Sequence, residues 1–265
     1  MLKSLLLISF VLGSSAALAR EIVIVSDMDE TTRIANIEKK VKAGAKLLVG
    51  VKPYEGLRAI YNEMAKNPEV KFYYLSNSYP FLYDGVKWKK ENGFPKGVVM
   101  QRSLKDKSDS FKPAKLKEIA SAHPDASFIL VGDNVEHDPK FYRDFVASNP
   151  QLDTKVYIRD ARLIFPQEQS ITYFQTEAQI TDDLGISEET ATQIRTLAFH
   201  KLVPKFLLKN LRSRLVKACK ASVTSCREAA DARVLQVIDE INPNPEVSPK
   251  VELTWDENEE EANLE

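Results

Sequence analysis

The feature that most limits what this chain can fold into is a short apolar run that recurs and each time ends in polar chemistry. Ile22-Val23-Ile24-Val25-Ser26 empties into Asp27-Met28-Asp29-Glu30-Thr31. Phe72-Tyr73-Tyr74-Leu75 ends in Ser76-Asn77-Ser78, and Phe128-Ile129-Leu130-Val131 ends in Gly132-Asp133 with Asp138 close behind. Such runs, bounded by turn residues, read as buried strands. Strands are expected at about 21–26, 70–75, 97–101, 126–131 and 154–158, with helical spacing at about 54–66, 80–91, 113–122 and 139–148 between them. Strict alternation of this kind predicts right-handed βαβ crossovers and an α/β three-layer sandwich around a parallel sheet.

The polar clusters then share one edge. In an open α/β sheet, ligands bind beyond the carboxyl ends of the strands. Two carboxylates one residue apart after a strand can converge, with a backbone carbonyl, on a hard divalent cation that takes oxygen ligands. By itself that pattern is equally a solvated acidic turn. Lys112, just before Pro113 and the apolar positions Leu116, Ile119 and Ala120, is expected at a helix start, because proline suits the first turn. Its ammonium would point back over the same sheet edge.

The order of these pieces resembles the haloacid dehalogenase superfamily: DxDxT, a strand with Ser, a Lys, then GDxxxxD. A closer resemblance is to the catalytic domain family of the actin-patch-associated phosphatidate phosphatase. The matching stretches are Ser26 to Thr31, Phe72 to Tyr83, Gly93 to Gly97, Lys112 to Pro124, Phe128 to Tyr142 and Val156 to Asp160, so the likeness covers roughly residues 21 to 165. Three departures stand out: Phe111 where the family usually has His, Tyr79-Pro80-Phe81 after the SNS triplet, and Asn134 where a Ser is usual. They bear on substrate range and leave the core catalytic groups in place.

The resemblance implies a Rossmann-like sandwich with sheet order 5-4-1-2-3 and the first strand central. It implies Asp27 as nucleophile on phosphorus, Asp29 as general acid and then general base, and Ser76 and Lys112 as the phosphate clamp. Mg²⁺ would be held by Asp27, the Asp29 carbonyl and Asp133. Asn77 and Arg102 would contact substrate. Asp138 is open between capping the following helix and steadying the metal or Lys112 from behind. His137 is read as orienting its loop, and His123 and His200 as structural or surface residues. Residues 33–52 look like a short flap, and between Ser76 and Lys112 there is room only for a helix and a strand. A minimal cap leaves the site open, which suits bulky phosphoesters.

The rest of the chain frames this domain. At 265 residues it can bury one good core and carry an appendage. A net charge of −1 argues against a nucleic-acid partner held by bulk charge. Lys3, the apolar stretch Leu5 to Leu12 and Ala17-Leu18-Ala19 read as a signal peptide over 1–19, which predicts export to a periplasm or the exterior; an uncleaved anchor is the plainer alternative. The phosphatase domain is expected over 20–185, a helical appendage over 186–241 and an acidic, disordered tail over 242–265. Between Thr190 and Arg227 every charged side chain is basic. That stretch reads either as a helical cover with a solvated basic face or as an amphipathic surface for weak contact with an anionic membrane.

The cysteines are Cys219 and Cys226. On one continuous helix their Cα atoms would stand roughly 10.5 Å apart, too far for a disulfide. Ala221 to Thr224 is poor helix, and Ser225 with Glu228 has capping-box spacing, so a turn between two helices could bring the thiols together. In an exported chain a disulfide is favoured.

Two classes of function follow. One is an Mg²⁺-dependent phosphomonoesterase, with phosphatidate-like lipids as substrates and nucleotides, nucleic-acid ends or phosphoproteins as rivals. The other is a phosphate-binding module without turnover, which the intact Asp27, Asp29, Ser76, Lys112 and Asp133 set argues against.

Overall fold

The computed structural model describes residues 20–34, 51–162, 168–202 and 223–242. The elements run β1 (Ile22–Asp27), α1 (Glu55–Met64), β2 (Val70–Ser76), α2 (Gly85–Glu91), β3 (Val98–Gln101), α3 (Ser108–Ala122), β4 (Ser127–Asp133), α4 (Asp138–Ser148), β5 (Thr154–Arg159), β6 (Thr172–Phe174), a 3₁₀ turn (Glu177–Ile180), α5 (Glu188–Leu202) and α6 (Val223–Glu240). All strand pairs are parallel, in the order β3-β2-β1-β4-β5-β6. This is the expected 5-4-1-2-3 arrangement with one further strand beside β5.

Alternation along each strand builds the two outer layers. Ile24, Phe72, Tyr74, Ile129 and Tyr157 face one side, where Leu57, Ile60 and Tyr61 of α1 and Trp88 of α2 meet them. Val23, Val25, Leu75, Phe128, Leu130 and Ile158 face the other, against Leu116 and Ile119 of α3 and Phe141, Tyr142 and Phe145 of α4. With both faces covered, the strands read as near-continuous apolar runs, which is why the sequence shows them.

Three boundaries differ from expectation. First, α3 begins at Ser108, because the Ser110 and Phe111 amides donate to the Lys107 carbonyl at 3.2 and 3.1 Å and start the helix ahead of the proline. Lys112 therefore sits in the second turn, with Pro113 inside the helix at the cost of one backbone bond. Second, α2 begins at Gly85, where the Asp84 carboxylate accepts from the Lys87 amide at 2.9 Å. Third, α6 already includes Ser225 and Cys226, so Ser225 lies within a helix and not at its cap.

The appendage helices join the core. Ala191, Ile194 and Ala198 of α5 are buried, as are Val234, Val237 and Ile238 of α6 and the following Ile241. Cys226 is buried too, while Cys219 and its expected pairing lie outside the described residues. So do the expected signal peptide 1–19, most of the expected flap, His200's side chain, residues 203–222 of the basic stretch and the expected tail beyond 242. No described helix is long and apolar enough to cross a membrane.

Candidate active site

β1 delivers Asp27 to the middle of the sheet edge, between β2 and β4. The chain then turns sharply. Glu30 adopts a left-handed φ of 57°, and the amides of Thr32 and Arg33 both reach the Met28 carbonyl at 3.1 Å. A non-glycine residue in that region is uncommon and costs on the order of 1 kcal/mol or more, which marks a turn held for its geometry.

Four buried charges meet at this point. Lys112 Nζ lies 2.7 Å from Asp27 Oδ1 and contacts Asp138 Oδ1 as well. Asp27, Asp133 and Asp138 bring one carboxylate oxygen each to within 4.8 Å of one another. Asp133 is further held by the Thr31 hydroxyl at 3.0 Å and the Val135 amide at 2.7 Å. Gly132 explains itself here: a Cβ at this position would stand 2.7 Å from Asp138 Oδ2, so only glycine leaves room for that carboxylate.

The electrostatics follow from burial. Burial pushes the Asp27 carboxyl well above the usual carboxylate range; Lys112 opposes this, and Asp138, Asp133 and Asp29 reinforce it. Asp133 is pushed up to about 7, first by burial and then by Asp138. Asp138 is raised by burial against the pull of Lys112. For Lys112, burial works against the charge, but Asp138 and Asp27 outweigh it and hold the ammonium well above the usual lysine range. Once ionised, three carboxylates against one ammonium would leave two negative charges for a cation to balance. An all-oxygen set with that deficit fits a hard divalent cation.

Of the two readings of Asp138, the contacts favour the one at Lys112. His137 occupies the N-cap position of α4 and Asp138 is its first residue, so capping does not account for Asp138. Its carboxylate goes to Lys112 and accepts from the Asp133 amide at 3.4 Å. His137 gives its carbonyl to Phe141 N at 3.0 Å. His123 bridges Tyr73 and Glu21 at 2.7 and 2.6 Å, a structural placement.

Asp29 faces the other way. Its Oδ2 accepts from the Ser76 and Ser78 hydroxyls at 2.8 and 2.9 Å, and its Oδ1 lies 3.3 Å from Arg33 Nε. The Asp29 carboxylate is therefore not among the three clustered acids. Ser76 also accepts from the Tyr83 hydroxyl at 3.0 Å. Arg33, fully buried, stacks on the Tyr83 ring at 3.7 Å, and its three nitrogens have no hydrogen-bond partner. Ser78, Tyr83 and Arg33 were not singled out from sequence: the first two sit in matched stretches, but nothing local announces Arg33.

Asn77 and Arg102 lie on the rim and not among the buried charges. Asn77 donates to Glu136 at 3.1 Å, while Arg102 Nε donates to the Asn77 carbonyl at 2.9 Å and its guanidinium lies 4.3 Å over Tyr79. Of the three departures, Phe111 is buried. Asn134 ties two loops together, donating to Asp160 and accepting from the Arg162 amide at 3.0 Å. Only Tyr79-Pro80-Phe81 stands at the rim.

No curated protein matches the chain. The family model described as phosphatidate phosphatase APP1, catalytic domain, matches residues 22–160, from the start of β1 to just past β5. That match spans more than half of the 265 residues and takes in every clustered charge described above. The chain belongs to the APP1 phosphatidate phosphatase catalytic domain family, a haloacid dehalogenase-like family of phosphatases.

Proposed function

We propose that the protein is an exported, Mg²⁺-dependent phosphomonoesterase that works through an aspartyl-phosphate on Asp27 and acts on phosphatidate-like lipid phosphates. The observation that carries this reading is the ion pair of Asp27 with Lys112 inside the three-carboxylate cluster, at the end of the central strand.

The steps follow from the residues. The Asp27 carboxylate attacks phosphorus while the bond to the leaving alkoxide breaks, and Asp29 gives that oxygen its proton. Asp29 then takes a proton from water as the water attacks the aspartyl-phosphate, which releases inorganic phosphate and restores Asp27. Lys112, held between Asp27 and Asp138, offers its remaining N–H to a phosphoryl oxygen. Ser76, which now donates to Asp29, is the hydroxyl within reach of the same group. Asp27, Asp133 and Asp138 would hold the cation, with the Asp29 carbonyl as a further oxygen donor; when bound, it supplies positive charge that favours transfer between anions.

The leader-like first 19 residues support export, and Cys219 with Cys226 would form a disulfide there. The family description supports the lipid substrate. Only α2 and β3 separate Ser76 from α3, so no large cap is inserted between those two elements of the site. The test is phosphate release from phosphatidate, a nucleoside monophosphate and a phosphopeptide, with Mg²⁺ and with chelator. The expected result is chelator-sensitive release, fastest from phosphatidate. Absence of release from all three would refute the phosphomonoesterase reading.

A further inference from the structure

Among the described residues six large apolar side chains are exposed, and four of them gather on two neighbouring segments. Phe81, Leu82 and Val86 follow the carboxyl end of β2, and Leu104 follows that of β3. Phe81 is 70% and Leu104 76% exposed, so these are protruding tips. Burying such side chains elsewhere on the molecule is the default, and their grouping beside the catalytic edge asks for a partner.

The two segments are fastened into one surface. The Gln101 carboxamide donates to the Tyr83 carbonyl at 3.2 Å and accepts from the Gly85 amide at 2.9 Å. Arg102 bonds the Asn77 carbonyl and lies on Tyr79, whose ring stacks on Phe81 at 5.2 Å. The same loop supplies Ser76 and Ser78 to Asp29, so the patch borders the mouth of the site.

The loop around Leu104 is net positive: between β3 and α3, Arg102, Lys105 and Lys107 stand against Asp106 alone. Lys105 and Lys107 are exposed around Leu104, with Arg102 between them and the site. The exposed acids nearby are Asp84, which accepts from the Lys87 amide, Asp106, which accepts from the Ser103 amide and hydroxyl at 2.8 and 2.7 Å, and Asp109 in the first turn of α3. Protruding apolar tips with cations at their base match a bilayer surface, where the tips enter the acyl boundary and long basic side chains stay with the headgroups.

We infer that Phe81, Leu82, Val86 and Leu104, with Lys105 and Lys107, dock the protein on an anionic lipid bilayer and present a lipid phosphate in that bilayer to Asp27. This deepens the reading above and rests on it for the identity of the substrate, while the docking itself can be tested without turnover. It places membrane contact at the mouth of the site, apart from the basic stretch of the appendage.

The experiment uses the full chain, the double variant L82S/L104S and the double variant K105E/K107E, none of which touches the buried charges. Vesicles of phosphatidylcholine alone, of phosphatidylcholine with phosphatidylglycerol, and of phosphatidylcholine with phosphatidate are sedimented at low and high salt. A water-soluble aryl phosphate reports the site itself, and sedimentation velocity reports self-association. The native chain should pellet with both anionic vesicles, less at high salt, and not with phosphatidylcholine alone. Both variants should lose about tenfold or more of that binding, and of phosphatidate turnover in vesicles, with aryl phosphate turnover unchanged within about twofold. Pelleting of either variant equal to the native chain, or no pelleting of the native chain, would overturn the inference. A native dimer that L82S/L104S dissolves would overturn it too, by giving the patch to a second copy. Patch-dependent pelleting on phosphatidylglycerol without phosphate release from phosphatidate would support the docking and refute the lipid substrate.

Discussion

Asp27→Asn separates what the site costs from what it does. The substitution keeps the shape of the side chain and removes the attacking charge. Asp27 is 2% exposed and lies among Asp133, Asp138 and Asp29, with Lys112 2.7 Å away. Burial outweighs the pull of Lys112, so its carboxyl sits well above the usual carboxylate range, and near neutral pH the ionised form is a burden on the fold. Asparagine lifts that burden and leaves Lys112 still paired with Asp138. Replacing a poorly compensated buried charge is worth about 1–3 kcal/mol, and in a chain of this size each kcal/mol moves the melting temperature by roughly 2–4 °C. The variant, melted with chelator near pH 7.5, should therefore unfold about 2–12 °C above the native chain. Its Mg²⁺-dependent turnover should fall by about 10³-fold or more, as expected when a nucleophile is lost. A melting point below that of the native chain would show that the Asp27–Lys112 pair dominates burial and would refute the electrostatic reasoning. Normal turnover would remove Asp27 as the nucleophile.

Two further outcomes follow from the same geometry. Asp29→Asn should lose roughly 10²–10⁴-fold on an alkyl phosphate and much less on an activated aryl phosphate, and Arg33→Met, which frees Asp29 Oδ1, should show a milder version of that same bias; equal losses on both substrates would mean that Asp29 is not the general acid. Asp133 is pushed up from 3.8 to about 7, so the folded state holds its proton more tightly than the unfolded chain does. Metal-free protein should accordingly lose stability as pH rises from about 4 to about 7, and saturating Mg²⁺ should cancel the loss above that window. Chelated melts at pH 5 and pH 8, with Asp133→Asn beside the native chain, check the sign; a native chain that melts no lower at pH 8 than its Asn variant, each referred to its own pH 5 value, would contradict it.

What the sequence discloses is what local order dictates. β1, β2 and β4 are buried on both faces, so their runs are apolar without a break, and the residue at which each run stops is the residue delivered to the site edge. Asp27, Ser76 and Asp133 were legible for that reason. β6 was not, because Thr172–Phe174 has only three residues and is a strand by virtue of its neighbour: the Asp160 amide reaches the Phe174 carbonyl at 2.7 Å. The sequence puts Lys112 at a helix start more than one turn too late, roughly five residues at 3.6 per turn, since Pro113 is a strong start signal that the preceding Lys107 carbonyl overrides.

Arg33 and Asp138 mark the limit in another way. Nothing within a few residues of Arg33 announces that its guanidinium will lie on Tyr83, fifty positions along the chain. For Asp138 the sequence leaves a cap and a support of the metal or Lys112 equally open, and only the approach of α3 to α4 reveals that it faces Lys112. Both are long-range partners of a short-range motif. The motif fixes which groups reach the sheet edge, while packing between layers fixes which of them become neighbours. The same division explains the clustered acids. No local rule would place Asp27, Asp133 and Asp138 within 4.8 Å of one another at 2%, 2% and 1% exposure. They are held together by two covered sheet faces whose burial is large enough to outweigh their repulsion. A site that a cation and a phosphoryl group would complete is therefore the part of this fold that its own core must hold in place.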